Sequence, residues 1–423
     1  MRKEIIVGLD IGTTKIAAIV GEKVDHGKIN ILGIGHVESG DAVSRGMVSN
    51  INKTVEAIRI AVEKASATSN VDIKVVQVGI AGQHIKCLHH RGQITKQNID
   101  DEISKADLDR LMADMERIAL DPGEQIIHII PQDYIVDNDR GIKDPIGRSG
   151  VRLEGNFHII TGNTTAIKNM EKCVEKAGLS VDCLVLEPLA SSESVLSAEE
   201  KEAGVALIDI GGGTTDLAIF EDGIIRHTAV IPLGGEVITN DIKVGCNVMT
   251  RQAEGMKIKF GSALVSETMD NEIIVIPGIK GRAPREISVK NLSHIIQARV
   301  EEIFENVFFE IKSSGYMKKL QGGIVLTGGG AQLKHLTQLV EYITGIDTRI
   351  GRPTEHLASG LVNEVKSPMY ATGIGLLLYG FQNSEKTTAH EPRPKEHKKK
   401  GMFDFFAKTK EWLKDENDDF EKK

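Results

Sequence analysis

Two stretches of the chain carry one hydrophobic pattern: VGLDIGTTKIAAIV at 7–20 and ALIDIGGGTTDLAIF at 206–220. Each is a β-branched run ending in Asp-Ile-Gly, then a Gly/Thr turn, then a second β-branched run. That pattern predicts a hairpin whose turn is richer in glycine than a two-residue connection needs. The second copy carries two extra glycines. Further turn signals, Asp25-His26-Gly27 and Glu221-Asp222-Gly223, each precede another apolar run, so each half opens with a three-stranded meander. The internal repeat predicts two similar halves that face one another.

Between the copies, apolar residues recur at three and four over 53–66 and 163–178, which predicts helices, with Asn163 and Gly178 suited to the caps of the second. An acidic helical segment at 100–119 and a strand-rich stretch from Gln125 to Val136 interrupt the first half. From Gly322, GGIVLTGGGAQLKHL predicts strand, glycine turn and helix. The expected organisation is a first-lobe core at 1–84, an inserted subdomain at 85–162 and a return to the first lobe at 163–200. A second-lobe core at 201–234 and its outer subdomain at 235–305 come next, then second-lobe core and a return to the first lobe at 306–382. Residues 383–400 contain no apolar side chain except Ala389 and the prolines, so they cannot offset the entropy of ordering and are expected to be a flexible linker before a tail at 401–423.

The 423 residues suffice for two or three domains with real cores. Lys and Arg number 52 against 60 Asp and Glu, a net charge of −8, which argues against wholesale nucleic-acid binding. Cys87, Cys173, Cys183 and Cys246 form no C-x-x-C pair, so neither a zinc site nor a disulfide framework is expected, and a reducing cytoplasm fits best. His89-His90 lacks supporting ligands and reads as a solvated pair. No signal-peptide core or stretch of about eighteen apolar residues occurs, so any relation to a membrane is expected to be peripheral.

A glycine turn lets backbone N–H groups converge on one spot, and threonine hydroxyls add donors to the same concavity. Gly12, Thr13, Thr14 and Lys15 would hold one end of a triphosphate, with Lys15 supplying positive charge. Gly211, Gly212, Gly213, Thr214 and Thr215 would hold the other. Asp10 and Asp209 end their strands just before these turns, where a carboxylate can hold Mg²⁺ through its waters. Gly328, Gly329 and Gly330 form a third glycine turn after an apolar run.

These motifs resemble those of the actin, sugar-kinase and heat-shock-chaperone ATPase superfamily, in family order. Residues 5–20 and 205–220 resemble its paired phosphate motifs and 324–336 its adenosine motif, while 186–195 (LEPLASSESV) and 367–378 (SPMYATGIGLLL) resemble its connecting segments. The resemblance implies an α/β, actin-like duplicated ATPase fold with two lobes around a cleft for ATP and Mg²⁺, and places Glu254 and Lys257 near adenine and ribose. Within the superfamily, VGIAGQHI (78–85), SRGMVSNINKTVEAI (44–58), GVRLEGNFHIITG (150–162) and IPLGGEVITNDI (231–242) resemble the FtsA family of bacterial cell-division proteins. An FtsA-type inserted subdomain in the first lobe is implied where 85–162 lies.

The last residues gather Phe403, Phe405, Phe406, Trp412 and Phe420 in a chain that is only 4% aromatic, which a solvated tail does not explain. At about 100° per residue, Met402, Phe405, Phe406, Trp412 and Leu413 fall within roughly 120°, with Phe403 beyond the edge of that arc. Lys408 and Lys410 add cations, and Arg393 to Lys414 hold eight basic and three acidic residues. An amphipathic helix resting on anionic lipid is expected. Each large side chain contributes at most roughly 1.5 to 3 kcal/mol, so one helix binds weakly and a polymer of tethered helices binds by avidity.

The family resemblance therefore implies an ATP-binding protein that polymerises on the inner face of the cytoplasmic membrane at the division site. It implies that the protein tethers the FtsZ ring there through the FtsZ C-terminal tail and helps to recruit other division proteins. Asp10, Asp209 or Glu187 could orient an attacking water, though at most slow hydrolysis is expected and Glu187 reads equally well as a helix-start carboxylate beside Pro188. A small-molecule kinase of the same superfamily and a pilus-assembly adaptor are the alternatives, and neither has a use for the basic, aromatic tail.

Overall fold

The computed structural model describes residues 4–24, 27–96, 102–277, 283–358 and 360–390, the last six as backbone alone. The first lobe opens with β1 (Ile5–Ile11), β2 (Lys15–Lys23) and β3 (Ile29–Glu38), the expected meander. A short ribbon of β4 (Val43–Ser44) and β5 (Met47–Val48) leads to α1 (Ile51–Ser69), which starts two residues before the expected helix because Asn50 caps it. With β6 (Val75–Ile80) and a later β11 (Ser180–Leu186), the sheet runs β11-β6-β1-β2-β3. Both faces of β1 and β2 are apolar because both are covered. Leu9, Ile16 and Ala18 pack under the helices that follow β5 and the inserted subdomain, while Ala17 and Ile19 meet the last helix of the chain.

The insertion is a four-stranded antiparallel sheet, with its own core of Ile94, Leu111, Met115, Leu153 and Phe157. It comprises β7 (Lys86–Thr95), α2 (Lys105–Met115), β8 (Glu124–Val136), β9 (Asp139–Ile142) and β10 (Arg152–Asn163), ordered β7-β10-β8-β9. Its helix is shorter than the acidic pattern suggested. A reciprocal Ser104–Asp107 capping box sets its start, and only Leu111 and Met115 are buried. Asn163 ends β10 and caps α3 (Thr164–Lys176), accepting from the N–H groups of Thr165 and Ala166 at 3.0 and 3.1 Å. After β11, α4 (Glu187–Val195) crosses to the second lobe.

The second lobe repeats the plan with α5 (Ala198–Ala203), β12 (Val205–Ile210), β13 (Thr215–Glu221) and β14 (Ile224–Ile231). The hairpin registers correct one expectation. Ile11 pairs with Ile16, and Ile210 with Thr215, so both turns hold four residues and the glycines of the second copy replace Thr13 and Thr14 rather than adding to them. The outer part follows as α6 (Gly235–Gly245), α7 (Thr250–Phe260), the ribbon of β15 (Ile273–Ile276) and β16 (Arg285–Ser288), and α8 (Val289–Ser313). The expected boundary at 305 falls inside α8, because its buried stripe continues from Val300 and Phe304 to Val307 and Ile311. One apolar cluster serves core and outer part together.

β17 (Ile324–Thr327), α9 (Leu336–Thr344) and β18 (Thr348–Ile350) complete the second sheet, ordered β14-β13-β12-β17-β18. After α10 (Val362–Val365), α11 (Ala371–His390) returns over the first sheet with Ile374, Leu377 and Phe381. It passes so close to α4 that a Cβ on Gly375 would overlap the Ala190 carbonyl group. The helix also runs to His390, into the segment expected to be a linker. The expected membrane helix, from Met402 and Phe403 to Trp412 and Leu413, lies outside the described residues. No described helix is long and apolar enough to cross a membrane.

Candidate functional site

The two hairpin turns meet. Gly12 N–H donates to Lys15 O at 3.0 Å, Gly211 N–H donates to Thr214 O at 2.9 Å, and each bond closes a turn of the same size. A Cβ at Gly212 would meet the Thr14 side chain, so one lobe's turn abuts the other's there. Ser39 fastens the first turn from outside, its N–H donating to Thr14 O at 3.0 Å and its hydroxyl to Gly12 O at 2.6 Å. The start of α6 fastens the second, with Gly235 N–H and Glu236 N–H donating to Gly211 O and Gly212 O at 2.9 and 2.8 Å. The N–H groups of Thr13, Thr14, Gly212 and Gly213 donate to no backbone carbonyl among the described residues. They are available to an anion.

The threonines divide their roles. Thr13 Oγ1 accepts from Gly46 N–H at 3.2 Å. Thr214 Oγ1 donates to Asp216 Oδ2 at 2.9 Å, and Thr215, already in the strand, donates to Leu233 O at 2.8 Å. Thr215 therefore has its hydroxyl committed away from the turn.

Four carboxylates gather behind the turns: Asp10, Glu187, Asp209 and Asp216. Lys15 Nζ lies 2.8 Å from Asp10 Oδ2 and 5.1 Å from the Tyr370 ring centre. Burial drives the Lys15 ammonium down, but Asp10, with Tyr370 and Glu187 behind it, outweighs this and raises it. Asp209 accepts from Ser191 Oγ at 2.8 Å and from Thr372 Oγ1 at 3.4 Å, so both connecting helices hold it. Burial nevertheless pushes Asp209 up to about 6, with Asp10 adding to the rise. Asp216 stands opposite Asp209 in the hairpin and goes up to about 7, through burial and then Asp209. Its Oδ1 is buried without a partner. Glu187, at the start of α4, is raised well above the usual carboxylate range by burial, then Asp10, Asp216 and Asp209. Such a cluster is a cation-seeking site.

Asp216 is the residue that the sequence argument missed. Its signal was an acidic residue in the middle of a buried β run, in register with Asp209. Gly328 adopts φ +84, and a Cβ there would strike Asp209, so the third glycine turn closes against the same carboxylate. Gly330 packs on Ile210, while Gly329 is open. Glu254 and Lys257 pair at 2.8 Å, and Lys257 Nζ also donates to Gly235 O at 3.0 Å and Thr239 Oγ1 at 2.8 Å. Through Gly235 this pair adjoins the second turn, at its edge rather than among the carboxylates.

A family model described as "Cell division protein FtsA" matches residues 206–375, and one described as "SHS2 domain inserted in FTSA" matches residues 82–161, the inserted subdomain. Cell division protein FtsA of Pseudomonas aeruginosa is 42% identical over 380 residues, covering 90% of this chain and 90% of that one. The Neisseria meningitidis protein of the same name is 41% identical over 409 residues, covering 96% and 97%. The Escherichia coli K12 protein is 35% identical over 388 residues, covering 90% and 91%. Solved structures with this fold include a PilM–PilN type IV pilus biogenesis complex, with TM-score 0.64 and 16% identity, covering 89% of this chain and 98% of that one. Another is MreB5 of Spiroplasma citri bound to AMPPNP, with TM-score 0.53 and 15% identity, covering 91% and 98%. With the paired hairpins, the inserted sheet and these relatives together, the chain belongs to the FtsA family of cell division proteins and has an actin-like fold.

Proposed function

We propose that the protein binds ATP with Mg²⁺ between its two hairpin turns, polymerises, and tethers the FtsZ ring to the cytoplasmic face of the inner membrane at the division site. The observation that carries the nucleotide reading is the meeting of Thr14 and Gly212, one from each lobe, with uncommitted N–H groups beside them and the carboxylates behind. Lys15 and those N–H groups would receive phosphate oxygens. Asp10 and Asp209, placed just before the two turns, would hold Mg²⁺ through its waters. The bound cation supplies charge neutralisation for the phosphates and the crowded carboxylates alike. Of the three candidates for orienting water, Asp10 has a cation at contact distance, whereas Glu187 and Asp209 are pushed toward their neutral forms. The FtsZ C-terminal tail and later division proteins are the expected partners. The pilus-assembly alternative has fold likeness in its favour, at an identity that speaks to fold alone. No observation favours a kinase.

Titration with a fluorescent ATP analogue tests the cleft. Saturable, Mg²⁺-dependent binding is expected, weakened at least tenfold, or about 1.4 kcal/mol, by Asp209→Ala. Absence of saturable binding by the wild type would discard the reading. The membrane claim rests on Met402, Phe403, Phe405, Phe406, Lys408, Lys410, Trp412 and Leu413. Because α11 continues to His390, the truncation that isolates the tail is one ending at His390. Full-length protein should float with anionic liposomes and the truncated protein should stay below; equal flotation refutes the tether.

A further inference from the structure

One side of the inserted subdomain's sheet straddles both lobes. On β8, His128, Ile130 and Gln132 recur at every second position. His128 Nε2 accepts a hydrogen bond from Leu186 N–H at 3.0 Å. Leu186 is the N-cap residue of α4, makes no side-chain cap of its own, and directly precedes Glu187. The same imidazole stands edge-on to Tyr379 of α11, with centroids 6.4 Å apart. Burial pushes His128 down to about 4, so the ring is neutral; Nε2 carries the lone pair and Nδ1 the proton.

Further along, the same side meets the second lobe. Ile130 packs against the second-lobe cluster to which Val205, Leu207, Phe220 and Ile225 belong. Gln132 Nε2 donates to Ile225 O at 2.8 Å, and Cys87 Sγ donates to Thr228 O at 3.2 Å. His158 Nε2 lies 3.2 Å from Thr228 Oγ1. His89, expected to be a solvated pair with His90, has its ring 5.0 Å from that of His158. Strand β14 is the edge of the second sheet, and the insertion covers it. A subdomain joined by covalent bonds to one lobe is thus seated on the other and also grips the backbone beside a cleft carboxylate.

We propose that the inserted subdomain acts on the nucleotide cleft through His128, a positioning residue that fixes the Leu186–Glu187 backbone and with it the Glu187 carboxylate. A force that shifts the subdomain on β14, whether from lobe closure or from a bound protein, is then felt at Glu187. The inference rests on the ATP reading for its consequence, but not for the contact itself.

His128→Phe keeps an aromatic ring against Tyr379 and removes the acceptor, while His128→Gln restores an acceptor through its amide oxygen. Two readouts apply to the full chain. Amide exchange without nucleotide should be at least about tenfold faster over Leu186–Leu189 in the Phe variant than in wild type, and close to wild type in the Gln variant. The pH midpoint of Mg²⁺–ATP affinity should move by about half a unit or more in the Phe variant and return in the Gln variant. Unchanged exchange and midpoint in a folded Phe variant, or equal changes in both variants, would overturn the proposal. If the Phe variant does not fold, His128→Leu takes its place with the same readouts. If the wild type binds no Mg²⁺–ATP, the cleft reading fails separately, and the exchange measurement still decides the His128 contact.

Discussion

Gly375→Ala should separate the two connecting helices and disable the cleft. A methyl group there overlaps the Ala190 carbonyl, and the obstacle is backbone that cannot rotate away. Alanine would gain about 1 kcal/mol in helix propensity. Overpacking against a fixed wall costs up to about 3 kcal/mol, so a net loss of about 2 kcal/mol is expected. The functional loss should exceed what that figure suggests. Ser191 and Ser194 follow Ala190 on α4; Ser191 holds Asp209 and Ser194 Oγ donates to Ala371 O at 2.8 Å. Moving α4 from α11 strains both bonds, and nucleotide affinity should fall at least about tenfold. Gly255→Ala is the control, since that glycine, also within a helix, has nothing within 4 Å of where the added methyl would sit and should gain slightly in stability. Urea unfolding and ATP-analogue titration of both variants check this; a Gly375→Ala protein as stable and as avid as wild type contradicts it.

Asp216→Asn should stabilise the protein, and increasingly so as pH rises. Asp216 is 4% exposed, and its folded-state pKa of about 7 lies above the ordinary 3.8. A carboxyl raised in this way carries no penalty below pH about 4, where it is protonated both folded and unfolded. As pH climbs toward 7 the unfolded chain ionises first, so folding loses stability progressively and then levels off. Asparagine keeps an acceptor for Thr214 and has no charge to bury. Its advantage should be small near pH 4 and on the order of 4 kcal/mol near pH 8. Asp209, raised to about 6 by burial and then by Asp10, contributes a similar trend that remains in both proteins. Unfolding midpoints of both proteins across this range test the sign. A gain independent of pH, or a loss at pH 8, would mean that burial of the charge is not what sets the pKa. The same substitution should also diminish the protons released when Mg²⁺–ATP binds, which calorimetry in buffers of different ionisation enthalpy measures.

Much of this arrangement was readable from local pattern. Alternating and continuous apolar runs located both meanders, and Asn163 marked a helix start correctly because a cap is a short-range hydrogen bond. Boundaries governed by longer packing were less accessible. α8 runs through the expected border at 305 because its stripe faces a core shared by both parts of the lobe. Composition likewise placed 383–390 in a linker, whereas the helix begun on apolar residues at Ala371 carries on through them. In the site, Asp10, Lys15 and Asp209 stood out through their place at glycine turns. Asp216 did not, since only strand register sets it against Asp209. His128 was invisible for the same reason: period-two patterning tells which side a residue takes, not which distant N–H it meets.

Equal turn length in the two lobes has one more consequence. Laying one hairpin on the other in register matches Lys15 with Thr214 and Ala17 with Asp216. Backbone symmetry is thereby broken by charge, a cation against a hydroxyl and a methyl against a carboxylate. An elongated polyanion lying between the turns would meet Lys15 within the first turn but Lys257 only at the outer edge of the second, so its two ends would meet unequal charge. Polarity of seating follows from two side-chain differences on an otherwise repeated frame.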